Sequence, residues 1–122
     1  MTADDPFDLQ RFVDAQAPVY RQVVAELKAG RKESHWMWFV FPQGAGLGAS
    51  AMSERYAIRS ADEARAYLAY PILGSRLREC MALVEAALAR GRTAEEIFGT
   101  VDAMKYGSCV ELFGSPAAQP PP

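Results

Sequence analysis

The chain has 122 residues, half of them hydrophobic, so it is long enough for one domain with a core and too short for two. Its 13 basic and 15 acidic side chains give a net charge of −2, which supplies no field for neutralising phosphates, and we expect no nucleic acid partner. The longest apolar run, residues 36–42, is far shorter than the roughly 20 residues of a bilayer span, and residues 1–5 lack signal-peptide character, so we expect a cytoplasmic protein without a membrane partner.

Two helices are predicted at the start of the chain. Pro6 suits the first position of a helix, where its missing N–H group is no loss, and the helix should run for about ten residues. Its apolar face consists of Leu9, Phe12 and Val13. Pro18 disfavours helical backbone at the residue before it, so a second helix should begin near Tyr20 and end at Gly30.

The aromatic run at residues 34–43 is compatible with a short buried helix or a buried strand. We predict the helix, because its neighbours are helical and a lone strand would leave its backbone groups unpaired. In a helix Trp36 and Trp38 would point about 200° apart, whereas in a strand they would share one face. Residues 44–50 are predicted to be a glycine-rich loop, after which Ser50 caps a short helix.

Capping residues define the second half of the chain. Ser60 and Thr93 are each followed three residues later by glutamate, which predicts two capping boxes and a helix after each. Pro71 should open the longest helix, ending at Gly91, and a final helical pattern ends at Phe113. We therefore predict an all-α fold, a compact multihelical single domain of about six helices at residues 1–114, with a disordered proline-rich tail at 115–122.

The two cysteines, Cys80 and Cys109, lie in apolar helical patterns and have no metal-binding spacing. We therefore expect no metal site and no disulfide, as suits reduced cytosol. Whether the protein uses a cofactor cannot be derived from these residues.

The tryptophan-rich stretch also carries a family resemblance. Residues 34–43 read Ser-His-Trp-Met-Trp-Phe-Val-Phe-Pro-Gln and are followed by Gly46, Gly48, Ser50 and Tyr56. Here, and in shorter segments from residue 5 to Lys105, the chain resembles the bacterial family known as domain of unknown function 1810, whose members are sometimes labelled calpastatin. The resemblance implies a multihelical fold and adds no known chemistry.

The chain departs from that family near its end. Relatives tend to read Lys-x-x-Ser-Ser-Met-Thr-Leu-Phe and continue into a further amphipathic helix, whereas this chain reads Lys-Tyr-Gly-Ser-Cys-Val-Glu-Leu-Phe from Lys105 to Phe113 and continues into prolines. Gly107 within a helix costs about 0.5 to 1 kcal/mol relative to alanine. We therefore expect a frameshifted or truncated family member with an uncovered apolar stripe formed by Cys109, Val110 and Phe113, which is either marginally stable or self-associates through that stripe.

The polar and aromatic residues after Ser34 are the best candidates for a functional site. Indole rings can stack on a planar ligand, and a side-chain amide beside open glycine backbone can bind its polar edge. Core packing is the alternative for the aromatic rings, and a solvated surface position is the alternative for Lys105. We predict that the chain binds a small molecule in a pocket lined by His35, Trp36, Trp38, Gln43, Gly46, Gly48, Tyr56 and Lys105.

Two other functions stay open. An enzyme acting on a nucleotide-like or glycosidic substrate would use His35, the only histidine, as its acid or base, although no nucleophile is identified. A protein-interaction module would use the apolar stripe ending at Phe113. The charges at Arg31-Lys32, just past the second helix, and at Arg55-Tyr56, beyond the glycine loop, are ordinarily solvated, but together they could hold an anion.

Overall fold

Eight α-helices and no strand are present in residues 5–114, the part of the chain that the computed structural model describes. The helices are α1 (Gln10–Gln16), α2 (Tyr20–Ala29), α3 (Met37–Val40), α4 (Ala51–Arg55), α5 (Ala61–Ala69), α6 (Leu73–Ala89), α7 (Ala94–Phe98) and α8 (Thr100–Phe113). The all-α prediction is confirmed, but the expected number of helices was wrong. Three helices, α3, α4 and α7, span about one turn each; each lies where the sequence predicts a helix, and only the total of about six was too low. The expected tail at 115–122 lies outside the described residues.

One hydrophobic core joins these helices, and α6 lies at its centre. It packs against α2, α5 and α7, while α8 packs against α5 and α7, and α1 against α3. The buried face of α6 has the spacing of a helix that faces a core. It consists of Leu73, Gly74, Leu77, Cys80, Met81, Val84 and Ala87. Within residues 5–114 no helix has both the length and the hydrophobicity that crossing a bilayer requires.

The apolar residues at the end of α8 are covered by the chain itself. Cys109 is fully buried, and the Phe113 ring lies 5.2 Å from the Tyr67 ring of α5. The expectation of an uncovered stripe at Cys109 and Phe113 was therefore wrong, because α5 packs against it. The exposed apolar residues of α8 are instead Val101 and Met104, which are 67% and 72% exposed.

Asp5, rather than Pro6, organises the start of the first helix. The Asp5 carboxylate accepts hydrogen bonds from the backbone N–H groups of Leu9 (2.7 Å) and Gln10 (2.9 Å). Asp8, which lies between Asp5 and Leu9 in the sequence, has a φ of +54°. This backbone conformation interrupts any helix that begins at Pro6. The predicted start was wrong for this reason, and α1 begins at Gln10.

The start of α6 is also later than predicted. Ile72 has a φ of +77°, a conformation that a β-branched residue rarely adopts, so the helix begins at Leu73 instead of Pro71. Two residues later, α6 passes so close to α5 that a Cβ on Gly74 would lie 2.0 Å from the carbonyl oxygen of Leu68. Only glycine fits this approach without moving the backbone.

One of the two predicted capping boxes is complete. Thr93 accepts the Glu96 N–H, and the Glu96 carboxylate accepts the Thr93 N–H. Ser60 also accepts the Glu63 N–H at 3.0 Å, but Glu63 accepts the N–H of Arg59 instead of that of Ser60. The reciprocal half of the second box was therefore predicted wrongly.

Arg11 connects the first helix with the segment between α4 and α5. A guanidinium group has five N–H donors, and here each of them makes a hydrogen bond. The acceptors are the carbonyl oxygens of Phe7, Asp8, Arg55 and Ala57 and the carboxylate of Glu63, at 2.7 to 3.1 Å. The Glu63 side chain is 5% exposed, so this ion pair lies largely inside the fold.

Candidate functional site

The turn that leads into the tryptophans is fixed at both ends. Helix α2 ends at Gly30, whose φ of +76° makes it the left-handed cap that the sequence predicts. Two residues later the backbone N–H of Lys32 donates to the carbonyl of Ile97 at 2.7 Å, which ties the turn to α7. The aromatic run is therefore placed between α2 and the α7–α8 pair.

A buried carboxylate, Glu26, holds this turn from inside. One of its oxygens accepts the backbone N–H groups of Glu33 (2.7 Å) and Ser34 (3.0 Å) and the indole N–H of Trp36 (2.9 Å). The other oxygen accepts from Gln22 at 2.7 Å and from the Ser34 hydroxyl. Burial by itself raises the pKa of Glu26, but these hydrogen bonds outweigh it and lower that pKa to about 2.

The two tryptophans have different surroundings. Trp36 caps α3, is 1% exposed and packs near Phe41, with ring centroids 6.1 Å apart. Trp38 lies within α3 and is only partly buried, and the ammonium group of Lys105 lies 5.6 Å from its ring centroid. The predicted helix is thus confirmed for Met37–Val40, and of the two tryptophans only Trp38 is partly exposed.

Two lysines and one aspartate connect the tryptophans. Lys32 and Lys105 bind different oxygens of Asp102, at 3.0 Å and 3.5 Å. The Lys32 ammonium also lies 5.2 Å from the Trp36 ring centroid. The side chains of Lys32, Asp102 and Lys105 are 9%, 20% and 23% exposed, so their charges are partly removed from water. We call Lys32, Trp36, Trp38, Asp102 and Lys105 the indole–lysine cluster.

This cluster combines two kinds of recognition. The partly exposed indole of Trp38 provides a π face on which a planar molecule can stack. The two ammonium groups face one carboxylate, so the charged part of the cluster carries a formal charge of +1. A partly desolvated positive charge attracts a negative group more strongly than a fully hydrated one does.

The other predicted site residues make no hydrogen bond, ion pair or ring contact with the cluster within residues 5–114. His35 is exposed, and its ring has no hydrogen-bond partner among residues 5–114, so no group in that range orients it as an acid or base. Gln43 uses its backbone carbonyl to accept the N–H of Ile58 at 2.9 Å, which closes the glycine loop onto the segment after α4. Gly46 and Gly48 are exposed in that loop.

Tyr56 is 7% exposed, and its ring packs against the rings of Phe12 and Phe39 at centroid distances of 5.6 and 5.5 Å. No hydrogen bond, ion pair or ring contact within residues 5–114 links Tyr56 to Trp38 or Lys105. The structure therefore brings Trp36, Trp38 and Lys105 together, and the other candidates keep their roles as predictions.

The basic residues considered for an anion lie in separate grooves. Arg31 lines an open groove of about 720 Å³ with Arg90 and Arg92. The guanidinium groups of Arg90 and Arg92 donate to backbone carbonyls at the C-terminal end of α2, which gives both a structural role. Arg55 lines a different groove, of about 620 Å³, beside Arg11.

Sequence reasoning missed Asp102 and treated Lys32 as ordinary surface charge. The spacing of Asp102 and Lys105, three residues apart in one helix, is a signal for an ion pair that could have been used. The approach of Lys32 depends on the turn after α2 and has no local signal. Within residues 5–114 no three His, Cys, Asp or Glu side chains are grouped as metal ligands would be.

The architecture defines a small multihelical domain with one core and an aromatic, basic cluster at its surface. The family profile described as "Protein of unknown function (DUF1810)" matches residues 6–121, and the chain belongs to this family. Similarity extends to the crystal structure of the conserved hypothetical protein Rv1873 from Mycobacterium tuberculosis, with 60% identity and a TM-score of 0.86, covering 89% of this chain and 76% of that one. No curated protein matches the sequence. The family resemblance is confirmed, and neither description states a reaction or a ligand.

Proposed function

We propose that this chain binds a small organic molecule on the exposed side of the Trp38 indole, within the indole–lysine cluster. The observation that carries the proposal is the position of Trp38. It is partly exposed beside an ion-pair chain, while Trp36, two residues earlier, is sealed in the core. An indole that served only for packing would gain more from complete burial.

Two contributions to the binding free energy are available at such a site, stacking and charge. Stacking of one planar ring on an aromatic side chain contributes about 1 to 3 kcal/mol. Lys105 lies against the same indole, so a ligand ring there would have a charged group beside it. His35, Gln43 and the glycine loop at 44–50 flank α3 in sequence and are proposed as further walls of the pocket.

The experiment compares two substitutions of Trp38 in a thermal-shift screen of nucleosides, sugars and aromatic acids, in which bound ligand raises the melting temperature. Trp38→Leu removes the ring and should abolish the shift given by any compound that stabilises the unsubstituted chain. Trp38→Phe keeps an aromatic face and should retain part of the shift. If Trp38→Leu responds as the unsubstituted chain does to every stabilising compound, the proposal is wrong.

Self-association is a second candidate, favoured by the exposure of Val101 and Met104. These residues are one turn apart on α8, so they present an apolar surface beside Lys105. A second copy of the chain that packed α8 against α8 would bury both. Size-exclusion chromatography with light scattering would show a dimer that Met104→Glu dissociates; a chain that is monomeric at millimolar concentration would exclude this candidate.

A further inference from the structure

We infer that the ligand of the indole–lysine cluster is a planar anion, in which an aromatic ring carries a carboxylate or phosphate group. This inference rests on the proposed binding at Trp38 and adds the chemical class of the ligand. The lysines indicate this class, because the electron-rich face of an indole alone favours cations and gives no preference for an anion.

The charges of the cluster do not balance. Lys32 and Lys105 share the single carboxylate of Asp102, and no other carboxylate within residues 5–114 lies in ion-pair distance of either ammonium group. Each ammonium has three N–H donors, of which Asp102 can accept only a part. One negative group from a ligand would complete the charge balance.

The burial of these side chains strengthens the attraction that the unbalanced positive charge exerts on an anion. Lys32 is 9% exposed and Lys105 23%, so water screens their charges less than it screens a surface lysine. The exposed Lys28 of α2 provides the contrast, since its side chain makes no ion pair within residues 5–114.

The distances also fix where the anionic group must be on the ligand. The Lys105 ammonium lies 5.6 Å from the centroid of the Trp38 ring. Because this ammonium group lies over the indole, an anionic group that pairs with it must lie close to the ligand ring, attached directly or through one short link. A planar molecule with a distant charge would not use both features.

Asp102 sets the strength of this recognition. Its carboxylate holds both lysines in place, but it also repels an incoming anion. Replacement by asparagine keeps the size and polarity of the side chain and removes the repulsion. Asp102→Asn should therefore bind the anion more tightly while the affinity for a neutral ring stays unchanged.

The test uses matched pairs of probes that differ in charge: 1-naphthoate against 1-naphthamide, and adenosine monophosphate against adenosine, with inorganic phosphate alone as a further arm. Calorimetry at low salt should show the anionic member of at least one pair binding about tenfold more tightly, a free-energy difference of about 1.4 kcal/mol. Whichever pair shows this preference distinguishes a carboxylate ligand from a phosphate ligand. High salt should weaken the preference.

Four variants test whether the preference for the anionic probe arises from the indole–lysine cluster. Lys105→Met should remove it, Lys105→Arg should retain it, Asp102→Asn should increase it, and Lys28→Met, the matched control, should leave it unchanged. Equal affinity for charged and neutral probes, both lost in Trp38→Leu, would overturn the planar-anion inference and leave the proposed function standing. If none of the four aromatic probes binds, and inorganic phosphate binds equally to Lys105→Met and to the unsubstituted chain, both proposals are overturned.

Discussion

Two tryptophans separated by one residue illustrate how differently this fold treats similar side chains. Around Trp36, the polar atoms of the Glu26 carboxylate are fully occupied, and the ring is sealed. Around Trp38, the ring is partly exposed and the neighbouring charges are unequal. A complete hydrogen-bond set and full burial mark a structural element, whereas exposed aromatic surface and unbalanced charge mark a site that is open to a ligand.

The largest effect should come from Glu26. Glu26→Gln places an amide NH₂ where donors from Ser34 and the turn now converge, so at least one buried hydrogen bond is lost. We expect the free energy of unfolding to fall by about 2 to 4 kcal/mol. Urea denaturation measures this free energy. The matched control is the exposed Glu33→Gln, which should change the free energy of unfolding by less than about 0.5 kcal/mol. Equal effects of both substitutions would contradict the role given to Glu26.

Acid should reduce the contribution of Glu26 to the free energy of unfolding. The pKa of Glu26 is about 2 in the folded chain and about 4.5 without the fold, so the folded state favours the ionised form. The stabilisation is complete above pH 4.5 and is lost as the pH falls towards 2, up to about 3 kcal/mol. The difference in unfolding free energy between the unsubstituted chain and Glu26→Gln should therefore narrow between pH 5 and pH 2.5. A constant difference would show that the charge of Glu26 is unimportant.

Single-tryptophan variants test the contrast directly. Trp36→Phe removes a buried indole and its hydrogen bond to Glu26, and it should destabilise the fold by about 1.5 to 3 kcal/mol. Trp38→Phe should change stability by less than about 1 kcal/mol. In acrylamide quenching, Trp38 alone should be quenched strongly, and Trp36 alone should be protected. Stronger quenching of Trp36 than of Trp38 would show that Trp36 is the exposed tryptophan and Trp38 the buried one.

The smallest effect is expected on the exposed face of α8. Met104 is 72% exposed, so Met104→Gln should change the unfolding free energy by less than about 0.5 kcal/mol. The same substitution at the fully buried Met81 should cost about 2 kcal/mol or more, since it buries an amide without partners. Circular dichroism melts of the two variants make the comparison. A large loss in Met104→Gln would show that this face is covered in solution.

Helical periodicity and caps could be predicted from the sequence because they depend on residues a few positions apart. The buried face of α6, the cap at Gly30 and the box at Thr93 are of this kind. Helix starts were less predictable. Asp5 and Ile72 redirect the chain through backbone conformations that proline patterns do not indicate.

In the candidate site, too, individual residues could be predicted from the sequence, whereas the contacts between distant residues could not. Trp36, Trp38 and Lys105 were selected from sequence, but their connection through Lys32 and Asp102 depends on how the α2 turn meets α8. Such long-range contacts have no local pattern. The burial of Tyr56 against Phe12 is a further case, since it requires the packing of α1 near α4.

The five hydrogen bonds of Arg11 also have a consequence for the dynamics of the fold. Three of them join α1 to the segment at 55–63, which is distant in sequence, and the other two hold the turn before α1. Opening either segment alone would leave a guanidinium group with unsatisfied donors, so the two should open as one cooperative unit. Hydrogen–deuterium exchange of backbone amides in both segments should then give one common free energy of opening, although the amides belong to different helices.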